Sequence, residues 1–189
     1  MASTRSFPKL TLLTPEPGNH IFSKDTMEHL HAYWRMEYVA QEKAPKDRRP
    51  FVDLPKSDDD KANLIVSREP FTFILMNRYP YNPGHLLVLP YREVADIEDL
   101  NKDERSCFLE STIKAKRLLT AAIKPDGFNI GVNLGEAGGA GIPKHLHLHV
   151  VPRWNGDTNF MPVLGSTRVL PQSLEAMWVR LKSVREKLD

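Results

Sequence analysis

The sequence predicts an α+β domain in which an antiparallel sheet packs against one long helix. Three stretches carry that prediction. His145-Leu146-His147-Leu148-His149-Val150-Val151 alternates strictly between imidazole and apolar side chains, the period-2 pattern of a strand with one polar and one buried face. Residues 71–77 (FTFILMN) and 85–89 (HLLVL) are two β-prone apolar runs joined by the turn-rich YPYNPG, which reads as an antiparallel pair. Residues 101–123 place Phe108, Thr112, Ala115, Leu119 and Ala122 on one helical face, with Leu118 beside them.

In chain order, residues 1–22 are polar, with Pro8, Pro15 and Pro17, and read as an arm on the body or a frayed terminus. Residues 24–42 have helical spacing (Met27, Leu30, Trp34, Tyr38, Val39) behind a capping Ser23. His29 and His31 on that helix read as surface or half-buried side chains. Residues 43–62 mix Lys43, Lys46, Arg48 and Arg49 with three prolines and then Asp58–Asp60. This is the composition of a solvated loop, although Arg48 and Arg49 could reach a polyphosphate.

Pro83-Gly84 supplies the turn into the second apolar run, and Pro90 ends it. Asn101 with Glu104 three residues on forms a capping box at the start of the long helix, and Pro125-Asp126-Gly127 ends it. A strand over Phe128–Asn133 leads into Gly135-Glu136-Ala137-Gly138-Gly139-Ala140-Gly141. Those glycines let backbone N–H groups approach an anion as a nest. Leu174, Met177, Trp178, Leu181, Val184 and Leu188 mark a C-terminal amphipathic helix. The organisation expected is an N-terminal arm, helix and charged loop (1–63), a central domain (64–160) and a C-terminal segment whose helix packs on it (161–189).

Composition excludes several classes. The 189 residues carry 26 basic and 24 acidic side chains, for a net charge of +2, so nothing calls for nucleic acid or an anionic membrane. One cysteine, Cys107, rules out an intramolecular disulfide or a cysteine-based zinc site, and its place near the buried edge of the long helix suits packing. No apolar leader or 18-residue apolar window occurs, so a cytoplasmic protein is expected.

Three readings of the histidine stretch stand side by side. It could be an incidentally polar face. It could hold a metal, although alternate strand residues lie about 6.6 Å apart and the outer pair about 13 Å, too far for one ion unless another residue such as His85 joins two of them. Or it is catalytic, a neutral imidazole being a good nucleophile and base near pH 7.

HLHLHVV resembles the HφHφHφφ signature (φ apolar) of the histidine-triad (HIT) family of nucleotidyl hydrolases and transferases, and the likeness extends over about residues 64–154. The resemblance implies a HIT-like α+β fold with an antiparallel sheet of about five strands and a long helix, here with N- and C-terminal helical extensions. It implies a homodimer built through the long helix and an edge strand.

Roles follow position by position. His147 matches the family's nucleophile, which attacks an α-phosphorus to give a nucleotidyl-histidine. His149 would bind phosphate oxygens, and His145 would orient the nucleophile through its backbone carbonyl. His85 matches a fourth histidine behind the triad. Asn77 matches a position near the ribose, and Asn133 one that touches phosphate or ribose. Gly139, Ala140 and Gly141 would meet phosphate through the backbone. Gly141 and Ile142 stand where many hydrolase members have Ser, Thr or Gln, and the loop between Asn133 and His145 is one residue longer than in the common phosphoramidate hydrolases. These features, with Trp154 in VVPRW, resemble the branch containing diadenosine tetraphosphate phosphorylases.

The expected activity is therefore cleavage of adenine dinucleoside polyphosphates, with AMP, ADP or ATP as related ligands and inorganic phosphate as acceptor. The alternatives are a hydrolase using water on such substrates or on nucleoside phosphoramidates, and a low-turnover nucleotide sensor. No cofactor is obligatory, and a divalent metal could accompany the nucleotide.

Overall fold

The computed structural model describes residues 49–158 and 171–188. The arm over 1–22, the helix over 24–42, His29, His31 and Arg48 lie outside the described residues. The elements are α1 (Pro50–Asp53), a 3₁₀ turn (Leu54–Lys56), β1 (Ile65–Arg68), β2 (Thr72–Met76), β3 (Leu86–Pro90), α2 (Lys102–Ile123), β4 (Gly127–Val132), β5 (Leu148–Arg153) and α3 (Leu174–Leu188). The strands form one antiparallel sheet in the order β1-β2-β3-β5-β4. This is the five-stranded α+β arrangement expected, with β1 a strand that the sequence pattern did not mark.

Period-2 alternation divides the sheet into two differently covered faces. Ile74 and Met76 of β2, Leu86 and Val88 of β3 and Val150 of β5 enter one core with Phe108, Ala115, Leu118 and Leu119 of α2 and Met177 and Leu181 of α3. Their neighbours Phe73, Leu75, Leu87 and Leu89 point to the opposite face, where Phe51, Leu54 and Tyr91 cover them. Residues 50–56 are thus not the solvated loop expected. Phe51 and Leu54 gain more by burial on a bare apolar face than the short segment loses on ordering.

Helix α2 begins as its sequence requires. Glu104 N donates to Asn101 Oδ1 and Asn101 N to Glu104 Oε2, both at 2.9 Å, so two otherwise orphaned N–H groups are satisfied reciprocally. Arg92 also clasps Glu104 (2.6 and 2.9 Å), and the guanidinium holds that carboxyl down at about 2. Lys124, left-handed at φ 46°, ends the helix. The Trp178 indole of α3 donates to Ile65 O at 2.9 Å, fixing the C-terminal helix against β1.

The histidine stretch departs from expectation. The strand begins at Leu148 rather than His145. β3 pairs with β5 as Leu86↔Val150, Leu87↔His149 and Val88↔Leu148. Continuing that register would set Leu146 against Pro90, which has no N–H to give. Leu146 N instead reaches past the proline to Val94 O at 2.6 Å. Alternation nevertheless persists through this extended lead-in, and Leu146 stays buried in the helix-side core.

Gly84 makes the turn before β3. Its φ is +79°, and a Cβ there would stand 2.7 Å from Ile123 Cδ1 and 3.0 Å from Leu119 Cδ2 of α2. Both the backbone conformation and the close approach require glycine. Gly84→Ala is therefore expected to lower unfolding free energy in urea by about 1–3 kcal/mol. Gly127→Ala, with open space at its Cβ and no positive φ, should stay within about 0.5 kcal/mol of the parent.

Candidate active site

Four imidazoles meet on the face opposite the helices. His149 enters from β5, His85 from the residue before β3, and His145 and His147 from the lead-in. His85 and His149 rings lie 5.1 Å apart between centroids, and His147 and His149 also 5.1 Å, edge to face. His85, His145 and His147 are buried.

The partners of these rings fix their protons. His147 Nδ1 lies 2.8 Å from His145 O. A carbonyl only accepts, so Nδ1 carries the hydrogen and Nε2 keeps its lone pair. His145 Nε2 lies 2.8 Å from Pro90 O and is likewise the protonated nitrogen. His85 Nδ1 accepts from Tyr81 N at 3.1 Å and from Asn77 Nδ2 at 3.3 Å. Its hydrogen therefore sits on Nε2 and is donated to His149 Nδ1 at 3.0 Å. That leaves His149 with its own hydrogen on Nε2, a donor suited to an anionic oxygen. The cluster thus holds two lone-pair nitrogens, His147 Nε2 and the buried His145 Nδ1, beside one N–H donor, on His149.

Burial favours the neutral form of the His147 ring. Desolvation depresses His147 below the ordinary histidine value, opposed by its bond to the His145 carbonyl. His145 is depressed for the same first reason, opposed by the Pro90 carbonyl and the Glu93 charge.

Two aromatic side chains that the sequence pattern did not single out frame the cluster. Tyr81 stacks on His149 at 5.6 Å with 15° between planes and lies 4.6 Å from His85. Phe51 meets His147 at 5.4 Å and His145 edge-on at 5.7 Å. Tyr81 stands four residues before His85, so a local signal existed. Phe51 is nearly a hundred residues from His147 in sequence and had none. Arg49, considered for a polyphosphate, pairs instead with Glu93 just beyond β3.

The expected substrate contacts are placed as follows. Asn77 sits beside His85, its Oδ1 taken by Tyr79 N at 2.9 Å and its Nδ2 by His85. Asn133 is half-buried and follows β4, its Nδ2 3.9 Å from where a Cβ on Gly139 would stand. The amides of Gly139 and Ala140 donate within the loop, to Glu136 O (3.0 Å) and Gly135 O (3.2 Å). The nest expected from the glycines is therefore not built from these two: tight loop turns consume their N–H groups. Gly141 is exposed at the loop's end, before Ile142 O receives His145 N at 3.3 Å.

Trp154 is not part of the cluster within one chain. It follows the last residue of β5, about 16 Å along the strand from His149. Its backbone is held by Asp157. Asp157 also binds Arg153 through both oxygens and Asn82 at 2.9 Å, tying the far end of β5 to the turn before His85. Beside His149 on β4 stands Gly131, with open space where a side chain would be, while His149 Nε2 itself is buried. Among the described residues no group of three His, Cys, Asp or Glu side chains could hold a metal ion, and no helix is long and apolar enough to cross a membrane.

Comparison with known proteins places the chain in a family. The HIT domain model matches residues 59–156. An AP-4-A phosphorylase from Mycobacterium tuberculosis is 40% identical over 158 residues, 80% of this chain and 80% of that protein. A bis(5'-nucleosyl)-tetraphosphatase [asymmetrical] from Schizosaccharomyces pombe is 31% identical over 96 residues, 51% of this chain and 52% of that protein. The crystal structure of a Zn-bound histidine triad family protein from Mycobacterium smegmatis has the same fold, with TM-score 0.56 and 24% identity over 67% of this chain and 86% of that one.

The depressed histidines make stability depend on pH. An unfolded histidine titrates near 6.5, and burial sets folded His145 and His147 lower. Between those values the unfolded chain binds more protons, so their contribution is full above about 6.5 and is lost as pH falls below it. Thermal melts should show Tm falling from pH 7 to pH 5.5, with a shallower fall in His147→Asn.

Proposed function

Because the chain belongs to the HIT family, we propose that it cleaves dinucleoside polyphosphates by transferring a nucleotidyl group first to His147 and then to inorganic phosphate. The observation that carries this reading is the His147 ring itself: Nδ1–H on the His145 carbonyl, Nε2 with its lone pair beside the His149 donor. The likeness to an AP-4-A phosphorylase supports both substrate class and acceptor.

In the first step His147 Nε2 attacks the α-phosphorus of diadenosine tetraphosphate. The P–N bond forms as the bond to the bridging oxygen breaks, and ATP leaves. The ring acquires positive charge, which strengthens its Nδ1–H bond to the His145 carbonyl. The His149 Nε2–H faces charge on the phosphoryl oxygens, oriented through His85. In the second step a phosphate oxygen attacks the same phosphorus, the P–N bond breaks, ADP forms and neutral His147 is restored. Catalysis here is positioning and fixed dipoles, which is what phosphoryl-type transfer demands. We place any divalent cation on the polyphosphate that it accompanies rather than on side chains. Asn133 and Gly141 are the remaining contacts we assign to ribose and phosphate.

We assign the protein to the cytoplasm, since its single cysteine suits a reducing compartment. We also propose a homodimer through β4. It is the outermost strand of the sheet, its middle residues are exposed, and it carries Ile130 at 45% exposure with Leu134 just beyond, an edge that a second copy would cover.

The following outcomes test these assignments. Diadenosine tetraphosphate with inorganic phosphate should yield ADP and ATP, and quenching during turnover followed by peptide mapping should find AMP on His147. His147→Asn should lose at least about 10³-fold in rate. AMP and ATP, with no dependence on phosphate, would assign water as acceptor instead. For the assembly, light scattering should report a dimer that Ile130→Lys converts to monomer.

A further inference from the structure

We propose that Phe51 is a positioning residue for His147: its ring, clamped over the His145–His147 segment by the Arg49–Glu93 ion pair, excludes water from the nucleophilic imidazole and fixes its plane. The proposal rests on the reading of His147 as nucleophile.

Three observations converge on it. First, Phe51 touches two imidazoles of the cluster at once, His147 at 5.4 Å and His145 at 5.7 Å. Tyr81 occupies the corresponding place over His85 and His149, so the two halves of the cluster are each faced by an aromatic ring. Second, Phe51 does not belong to the sheet. It sits on the four-residue α1, and α1 alone is too short to be ordered by its own hydrogen bonds.

Third, the segment is pinned at both ends. Arg49, the residue before α1, pairs with Glu93 in the loop after β3. Beyond it, Arg68 of β1 donates to Pro55 O at 2.8 Å and to Ser57 O at 2.7 Å. The Arg49 guanidinium holds the Glu93 carboxyl below its usual range, so this clamp stays ionised wherever a neutral His147 would operate.

The charged and titratable groups around this contact are Arg49 just before α1 and Asp53 on it, Arg92 and Glu93 after β3, Lys144 before the triad, and the imidazoles of His145 and His149. Arg49 is matched by Glu93, Arg92 by Glu104 and Asp53 by Lys56. Desolvation is the main cause of the His147 depression and no charged neighbour contributes to it, so dehydration is what the ring supplies.

The test reads the His147 ring directly. The midpoint of its Cε1–H resonance and the acid limb of kcat/KM for diadenosine tetraphosphate are followed against pH in the parent, Phe51→Leu, Phe51→Ala and Glu93→Gln. In Phe51→Ala the midpoint should rise toward 6.5 by roughly half a unit or more, with the acid limb moving by the same amount. Phe51→Leu, which keeps apolar cover, should restore most of the difference, and Glu93→Gln should fall between. Should Phe51→Ala fail to fold, Phe51→Val replaces it.

A midpoint in the alanine or valine variant that coincides with the parent's would overturn the role given to the ring. Parent behaviour in Glu93→Gln would overturn the clamp. The resonance titrates whether or not His147 forms the adduct. Absence of nucleotidyl-His147 would therefore remove the catalytic reading while the titration still decides whether Phe51 dries the ring.

Discussion

One hydrogen bond governs the chemistry of this face. The His147 ring gives its only hydrogen to the carbonyl two residues back, at 2.8 Å, and that bond decides which nitrogen can attack. With the tautomer reversed, the ring's lone pair would face the lone pairs of the carbonyl and its hydrogen would point at substrate. The carbonyl can play this part because the chain at His145–His147 is extended but not in the ladder. Leu146, which the β3–β5 register would set against Pro90, bonds to Val94 O instead.

The second pair of imidazoles is ordered by the same logic running the other way. Donors from Tyr81 N and Asn77 converge on His85 Nδ1, which forces a hydrogen onto Nε2, which in turn makes His149 a donor. Asn77 is thereby tied to a histidine rather than left open toward solvent, and Gly84 matters because it lets the turn before His85 pack against Leu119 and Ile123 of α2. Two chains of hydrogen bonds with opposite outcomes create an unlike pair from identical side chains.

The division of the sheet into two cores explains why these rings are dry. The helix side is filled by α2 and α3, while the histidine side is covered at its β1–β3 end by Phe51, Leu54 and Tyr91. Toward β4, Gly131 stands beside His149 with open space where a side chain would be. The cluster is accordingly largely buried, the condition under which a neutral imidazole and fixed donors are worth most.

The parts of this protein that depend on near neighbours were already written in its sequence. The capping box of Asn101 and Glu104, the paired runs around YPYNPG, the long helix and the single face shared by three histidines all rest on spacings of a few residues, which local sterics and hydrogen bonding convert directly into shape. Tertiary structure alone decided the rest. It decided that Phe51 lies on His147, that Arg49 meets Glu93, that Trp154 ends up at the far end of β5, that loop turns consume the Gly139 and Ala140 amides, and that the strand starts at Leu148. Each of these depends on which distant segment covers a bare apolar face or stands opposite a proline, and period and composition carry no record of such partners.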